Sequence, residues 1–356
     1  MNLKSGPRLV VVGGFLASGK TTLILAAARE LERRGMRCAA LFNDQGRDLV
    51  DSAYGSASGL NAGQVAGGCF CCRLSDLMTQ IHGLRNFAPD VIFAEPVGSC
   101  TDLAATVLRP LRALEWRDGV PLRITPLTVL ADPSRVRALL AEDANPAMKF
   151  LFEKQIQEAD LVCFTKSDLY PDIPRLEARH LRQLSAKSGQ GVAAWLDEVL
   201  SGEIPAAGRN LEIDYAQYAQ AEAALAWLNL RAEFRLREPC SPAMLLGPLF
   251  DEVDSTLAAS GAPIVHMKAM VSAPTGYVKA AIAVPRQEPN VEGDLDASPA
   301  ARLQMLLNLR SVGPPETVRS IVELPLRRFG GQLVHLEIDC FSPAPPVPEQ
   351  RIATAQ

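Results

Sequence analysis

Residues 14–21 read Gly-Phe-Leu-Ala-Ser-Gly-Lys-Thr and directly follow the apolar run 9–12. The spacing G-x-x-x-x-G-K-T describes a phosphate-binding loop. Glycines let the backbone wrap a phosphate with its N–H groups, a lysine reaches the β- and γ-phosphates, and a threonine hydroxyl meets Mg²⁺. In that chemistry Gly14, Ser18 and Gly19 form the cradle, Lys20 carries the charge, Thr21 is the metal-side hydroxyl and Thr22 opens the following helix. The second chemical feature is Gly67-Gly68-Cys69-Phe70-Cys71-Cys72. Three thiols within four positions present soft anionic ligands to Zn²⁺, Co²⁺ or Cu⁺. An extended chain would place Cys69 and Cys71 on one face and Cys72 on the other, so binding by all three sulfurs requires a turn. A fourth ligand would come from Asp44, Asp48, a histidine or water. A redox switch is the rival use of the thiols, and burial as small apolar side chains suits Cys38, Cys163 and Cys340. Cys100 also reads as structural.

Three further motifs bear on the nucleotide. Thr165-Lys166-Ser167-Asp168 follows the apolar strand 160–164 and fits [NT]-K-x-D. The Asp168 carboxylate can accept both N1–H and the exocyclic amine of guanine, a donor pair adenine lacks, and the Lys166 stem can cover the base. Ser185-Ala186-Lys187 supplies a second guanine-facing loop. Only sixteen residues, 169–184, separate the two loops, which predicts a short helix between them. The strand 90–94 ends in Glu95-Pro96-Val97-Gly98. There Glu95 can serve the Mg²⁺ shell or position water, and Gly98 can offer its N–H to the γ-phosphate. Together these motifs point to GTP or GDP with Mg²⁺.

These residues need a scaffold that brings strand ends to one edge. Strand candidates at 9–12, 38–42, 90–94, 123–130 and 160–164 alternate with helical patterns such as 22–34, 103–114 and 146–158. That alternation predicts an α/β fold, a mostly parallel sheet covered by helices with its ligand edge at the strand C-termini. The pattern breaks near 203–208. The expected organisation is therefore a nucleotide domain over 1–205, a smaller C-terminal α+β domain of ferredoxin-like order over 213–341, and a mobile Pro-rich tail over 342–356. In the second domain a helix is expected at 213–228, strands at 231–236, 264–271, 277–284, 303–309 and 333–339, helices at 243–258 and 314–321, and a polar loop at 286–298.

The chain has 356 residues, 48% hydrophobic and 21% charged, with net charge −4 and no long basic block. That balance argues against nucleic acid as the main partner. No apolar stretch reaches membrane-spanning length, and the first residues lack the apolar core of a signal peptide. A cytoplasmic protein is expected, in which eight cysteines do not form a disulfide framework.

Gly14 to Thr21, Glu95-x-x-Gly98, Cys69-x-Cys71-Cys72 and Thr165-Lys166-x-Asp168 together resemble the CobW family of P-loop GTPases, related to the nickel-enzyme accessory proteins HypB and UreG. The resemblance covers about residues 8–200. It implies a metallochaperone that hydrolyses GTP slowly and delivers a transition metal, zinc or cobalt, to a client metalloenzyme. In that reading Lys20 and Glu95 serve catalysis, Thr21 and Glu95 serve Mg²⁺, and the three cysteines serve the cargo metal. Three departures stand out. Asp44 of Asn43-Asp44-Gln45-Gly46 takes the place of a family glutamate, Thr165 replaces an asparagine, and the four histidines, His82, His180, His266 and His335, are scattered instead of forming a metal store. An accessory GTPase for a corrinoid protein or methyltransferase and a P-loop small-molecule kinase are the other readings. A homodimer is left open.

Overall fold

The computed structural model describes residues 6–46, 50–57, 59–114, 121–206, 209–284, 288–328 and 331–353. Asp48, a candidate fourth ligand, and Arg286 and Gln287 of the expected polar loop lie outside them. The chain divides into two compact units. One comprises residues 1–45, 51–221 and 345–356; the other comprises 46–50 and 222–344.

The first unit contains β1 (Arg8–Gly14), α1 (Lys20–Arg33), β2 (Cys38–Asp44), α2 (Val50–Ala57), β3 (Asn61–Ala66), α3 (Leu74–Arg85) and β4 (Val91–Glu95). A π-helical turn, Ala104–Leu108, leads into α4 (Arg109–Ala113). Then follow β5 (Arg123–Ile124), β6 (Thr128–Ala131), α5 (Pro133–Leu140), α6 (Pro146–Glu158), β7 (Leu161–Phe164), β8 (Leu181–Gln183), α7 (Val192–Ser201) and α8 (Tyr215–Ala223). The strands pair in the order β3-β2-β4-β1-β6-β7-β8, with β5 beside β1, and every pairing is parallel. Parallel strands buried on both faces need continuous apolar runs. Leu9, Val10, Val11 and Val12 supply one at 0–1% exposure. Helix α1 buries Leu23, Ile24, Ala27, Ala28 and Leu31 at the 3–4 residue spacing of one helical face. It stops at Gly35, whose φ of 75° suits a left-handed cap.

The second unit contains β9 (Leu225–Cys240), α9 (Pro242–Ala259), β10 (Ile264–Ala273), β11 (Gly276–Ile282), β12 (Asn290–Gly293), β13 (Ala300–Val312), α10 (Pro315–Arg328) and β14 (Gly331–Phe341). Its antiparallel sheet runs β12-β11-β10-β13-β9-β14. The four strands β14-β9-β13-β10, with α9 and α10 as the two crossovers, follow the expected ferredoxin-like β-α-β-β-α-β order. The extra strands β11 and β12 extend one edge, and β12 forms inside the expected polar loop. Val50, the first residue of α2, belongs with this unit, and its N–H donates to Asn308 Oδ1 at 3.0 Å.

Several sequence expectations need correction. The helix at 213–228 ends at Ala223, and strand β9 starts at Leu225. Ala226, Leu228, Leu230, Ala232, Phe234 and Leu236 are all buried in one core, a period of two that belongs to a strand and overrides the helical reading. The unit boundary falls at 221/222 rather than near 205, because α8 up to Ala221 stays with the first unit. There Tyr218, 1% exposed, accepts a hydrogen bond from the Thr101 N–H, and the Tyr215 hydroxyl donates to Asp102. Residues 169–180 form turns, bends and irregular chain with no helix, so the short helix expected between the two base loops is absent there.

The tail expected to be mobile is ordered through Ala353 along the first unit. The Glu349 N–H donates to the Cys71 carbonyl at 2.9 Å, and the Glu349 carboxylate accepts from the N–H and hydroxyl of Ser75. Arg351 pairs with the fully buried Asp102 at 2.7 Å. The Ile352 N–H reaches the Ala105 carbonyl, and Arg109 donates to the Ile352 carbonyl. A Pro-rich chain has little conformational freedom to lose on docking, and Arg351 gives the buried Asp102 carboxylate a hydrogen-bonded cation.

Candidate nucleotide and metal site

Strand β1 delivers its last glycine into a loop whose conformation depends on glycine. Gly14 has φ 132°, and a Cβ there would lie 2.6 Å from the Leu130 carbonyl oxygen and 2.8 Å from Ser18 Oγ. Gly19, φ 92°, caps α1, and no side chain caps that helix end. The first N–H groups of α1 therefore face the loop as an anion-binding terminus. Ser18 Oγ is buried and has no hydrogen-bond partner among the described residues. Lys20 is 6% exposed and curls over the loop, donating to the carbonyls of Gly14 at 3.0 Å and Phe15 at 3.4 Å. The Thr21 hydroxyl donates to both carboxylate oxygens of Glu95, at 3.1 and 2.9 Å. Thr22 follows, half-buried. These groups fit a nucleoside triphosphate with Mg²⁺: an uncapped helix start, an ammonium, a hydroxyl–carboxylate pair and an unpartnered buried hydroxyl. Gly98 packs on the same loop, where a Cβ would come within 2.7 Å of Leu16 Cδ2 and 3.1 Å of its Cα.

The base-side motifs stand at the ends of adjacent strands. Phe164 and Gln183 pair across β7 and β8, and the Ser167 N–H donates to the Leu184 carbonyl at 3.3 Å. The T-K-x-D and S-A-K loops are thus neighbours. Thr165 turns inward, and its hydroxyl donates to the Ser18 carbonyl at 2.9 Å, bracing the phosphate loop. That contact explains how a threonine can stand at an asparagine position, since either side chain can donate to a backbone carbonyl. Lys166 adopts φ 57° and pairs with Asp132, at the end of β6. Burial pushes the Asp132 carboxyl up, but the Lys166 ammonium and the hydrogen bonds from Ser134 hold it below its ordinary value. Asp168 is exposed, Ala186 is half-buried and Lys187 exposed, and Ser185 is fully buried, its hydroxyl accepting from the Ser188 N–H.

The thiol segment makes the turn that binding by all three sulfurs needs. The N–H groups of Cys72 and Arg73 both donate to the Cys69 carbonyl, at 3.1 and 3.0 Å. Gly67, φ 77°, starts the curl. The sulfurs converge, with Cys69–Cys71 at 2.8 Å, Cys69–Cys72 at 3.2 Å and Cys71–Cys72 at 3.7 Å. Asn43, at the end of β2, clamps the segment. Its amide donates to the carbonyls of Val65 and Gly68, and its oxygen accepts from the Phe70 N–H. Asp44 is buried on the same strand end. Among the described residues the three sulfurs form a group that no His, Asp or Glu atom joins, so Asp44 is not brought into it. Hydrogen bonds with Cys100, Cys71 and Cys72 hold the Cys69 thiol well below its ordinary value. Cys71 is pushed well above it by its bonds to Cys69 and Cys72 and by burial. Cys72 is raised to about 11, with the bond to Cys69 the largest cause.

Four groups at this site escape sequence reasoning. Asp132 is a strand-end residue with no motif of its own, and Asn43 opens the Asn43-Asp44-Gln45-Gly46 stretch, where sequence alone assigns it no role. Cys100 contacts Cys69 from a different loop. The N–H of Val347 donates to Cys72 Sγ at 3.3 Å from a segment 275 residues away. Only the position of Asn43 at the start of Asn43-Asp44-Gln45-Gly46 offered a signal.

Comparison with known proteins matches residues 8–191, over half of the chain, to the family described as CobW/HypB/UreG, nucleotide-binding domain. The zinc chaperone CobW of Sinorhizobium sp is 29% identical over 217 residues, covering 52% of this chain and 60% of that protein. The zinc chaperone YeiR of Escherichia coli strain K12 is 34% identical over 164 residues, covering 45% and 47%. The chain thus spans between about half and three-fifths of the length of these curated relatives. Crystalline HypB from Helicobacter pylori in complex with nickel is 15% identical, covering 59% of this chain and 94% of that one, at a TM-score of 0.41, too loose a superposition to argue from. Among the described residues no helix is long and apolar enough to cross a membrane. With the phosphate loop, the Thr21–Glu95 pair and the paired base loops inside the matched span, the chain belongs to the CobW/HypB/UreG family.

Proposed function

We propose that this protein is a GTP-dependent carrier of a transition metal, zinc first and cobalt second, that hydrolyses GTP slowly and hands its cargo to a client metalloenzyme in the cytoplasm. The observation that carries the reading is the convergence of three sulfurs within 3.7 Å of one another, one of them in contact with Cys100, just beyond Gly98. The zinc-chaperone names of two relatives support zinc as cargo.

In this reading Lys20 and the start of α1 hold the phosphates, and Ser18 Oγ gains a partner. Thr21 and Glu95 hold Mg²⁺, which when bound neutralises charge on the β- and γ-phosphates. Asp168 selects guanine, with the Ser185–Lys187 backbone beside it. Gly98 senses the γ-phosphate, and slow turnover without a client leaves room for a stabilising group supplied in trans. Cys69, Cys71 and Cys72 hold the cargo as thiolates, so metal affinity falls as pH drops.

The test is a competition titration of Zn²⁺ and Co²⁺ against a chelator with GTP–Mg²⁺, GDP and no nucleotide. Tighter metal binding with GTP is expected, and linkage then requires metal to tighten GTP by the same factor. Equal affinity in all three states overturns the coupling, and equal affinity for GTP and ATP overturns the guanine assignment.

A further inference from the structure

A three-thiol site is one ligand short of a closed tetrahedral zinc site. With zinc–sulfur bonds of about 2.3 Å, the sulfurs of such a site stand about 3.8 Å apart. The observed edges of 2.8, 3.2 and 3.7 Å need only a modest spreading to match. The fourth corner is a separate matter, because no imidazole or carboxylate joins the group among the described residues.

Cys100 is the remaining thiol at hand. It is 1% exposed, and its side chain hydrogen-bonds with Cys69. It does not lie within 4.8 Å of all three cluster sulfurs, so in this conformation it borders the cluster at one corner without closing it. Its backbone belongs to the loop that packs on the phosphate site. The Cys100 N–H donates to the Val97 carbonyl at 3.0 Å, forming a turn around Gly98. The Gln155 amide on α6 donates to the carbonyls of both Gly98 and Cys100, at 3.0 and 2.9 Å, and binds the two residues into one unit. Gly98 itself sits against Leu16 of the phosphate loop. Gly98 and Cys100 are therefore mechanically linked, so that a shift of one is passed to the other.

We propose that Cys100 is a fourth, conditional sulfur ligand of the cargo metal: the Val97–Cys100 turn brings its thiol onto the ion when Gly98 is held by a γ-phosphate and withdraws it when that phosphate is gone. The proposal rests on the reading of Cys69, Cys71 and Cys72 as a metal site. It gives nucleotide state a chemical meaning there. Four thiolates retain the ion, whereas three leave a coordination position open to a ligand of the receiving protein.

The experiment uses the full chain, with Co²⁺ as the optical probe and Zn²⁺ for affinity, in a non-hydrolysable GTP analogue and in GDP. The wild type should show thiolate charge-transfer absorption that falls by about a quarter, the share of one sulfur in four, on passing from the analogue to GDP. Cys100→Ser should hold the lower intensity in both states and lose the nucleotide effect on Zn²⁺ affinity. In the analogue state it should bind Zn²⁺ at least about tenfold more weakly, a loss that even outer-sphere partners produce. A Cys100→Ser protein with wild-type intensity and wild-type nucleotide response overturns the proposal while leaving the carrier function standing. A wild type with no charge-transfer band dependent on Cys69 overturns the carrier function itself. Zinc X-ray absorption on the wild-type chain with the analogue needs no variant: four sulfurs support the proposal, and three sulfurs with one nitrogen or oxygen overturn it.

Discussion

At the phosphate loop the working groups lie within eight consecutive residues or at the ends of neighbouring strands, whereas the thiol segment draws its contacts from residues 43, 69–73, 100, 347 and 349. The first region is a local device, because a strand, a glycine turn and a helix N-terminus create an anion site wherever they occur in that order. The second is an assembly. The C-x-C-C turn supplies three sulfurs, but what clamps, borders and covers them arrives from other strand ends and from the far C-terminus. Local devices should fail by loss of one residue and leave the rest of the chain intact. Assembled sites should fail in graded steps.

The largest effect should come from Lys20→Ala. Charge-assisted hydrogen bonds contribute about 1.5–3 kcal/mol each, so losing the ammonium should weaken GTP by about a hundredfold, measured by titration of a labelled nucleotide. Thiol–metal stoichiometry should stay unchanged in the nucleotide-free state. Loss of both functions together would erase the distinction between the regions.

Next is the cluster. Replacing Cys69, Cys71 and Cys72 by serine should abolish the Co²⁺ charge-transfer band while nucleotide binding survives. A band that persists would place the metal elsewhere.

Asp168→Asn should cost about ten- to a hundredfold in GTP affinity and shift preference toward xanthine nucleotides, whose 2-position carries an oxygen. Full GTP affinity in that variant would remove Asp168 from the base pocket and leave the Thr165–Ser18 brace as the motif's sole role.

The smallest and sharpest test is Val347→Pro, which deletes the N–H that donates to Cys72 Sγ in a segment already rich in proline. Loss of one hydrogen bond to a thiolate should weaken Zn²⁺ by about three- to tenfold, with Val347→Ala near wild type. Equal affinities would show that the C-terminal segment lies beside the metal without tuning it.

Much of this protein was legible in the chain itself. The apolar run 9–12, the glycine spacing of 14–21 and the strand-terminal acids and polar loops predict a parallel sheet with a nucleotide edge, because buried parallel strands and phosphate loops leave continuous, short-range signatures. The α6 span of 146–158 emerged with its expected bounds, since Asn145 caps it through the N–H groups of Ala147 and Met148 and proline opens it. Where two periodicities competed, as at 213–228, the helical pattern misled until the sheet of the second unit claimed residues 225–240. Polar, proline-rich composition likewise misled for the tail, because composition reports a segment's own preference and not the buried Asp102 awaiting its arginine. Only tertiary structure decided that Thr165 braces the phosphate loop, that Asn43 clamps the thiol turn, and that Cys100 and Val347 reach the sulfurs. The physical reason is range. Dihedral preferences and hydrophobic periodicity act within about a turn or two of chain and are written in sequence. Contacts to the sulfurs from Cys100 and from Val347, the latter 275 residues from Cys72, exist only once the sheet has set their distances.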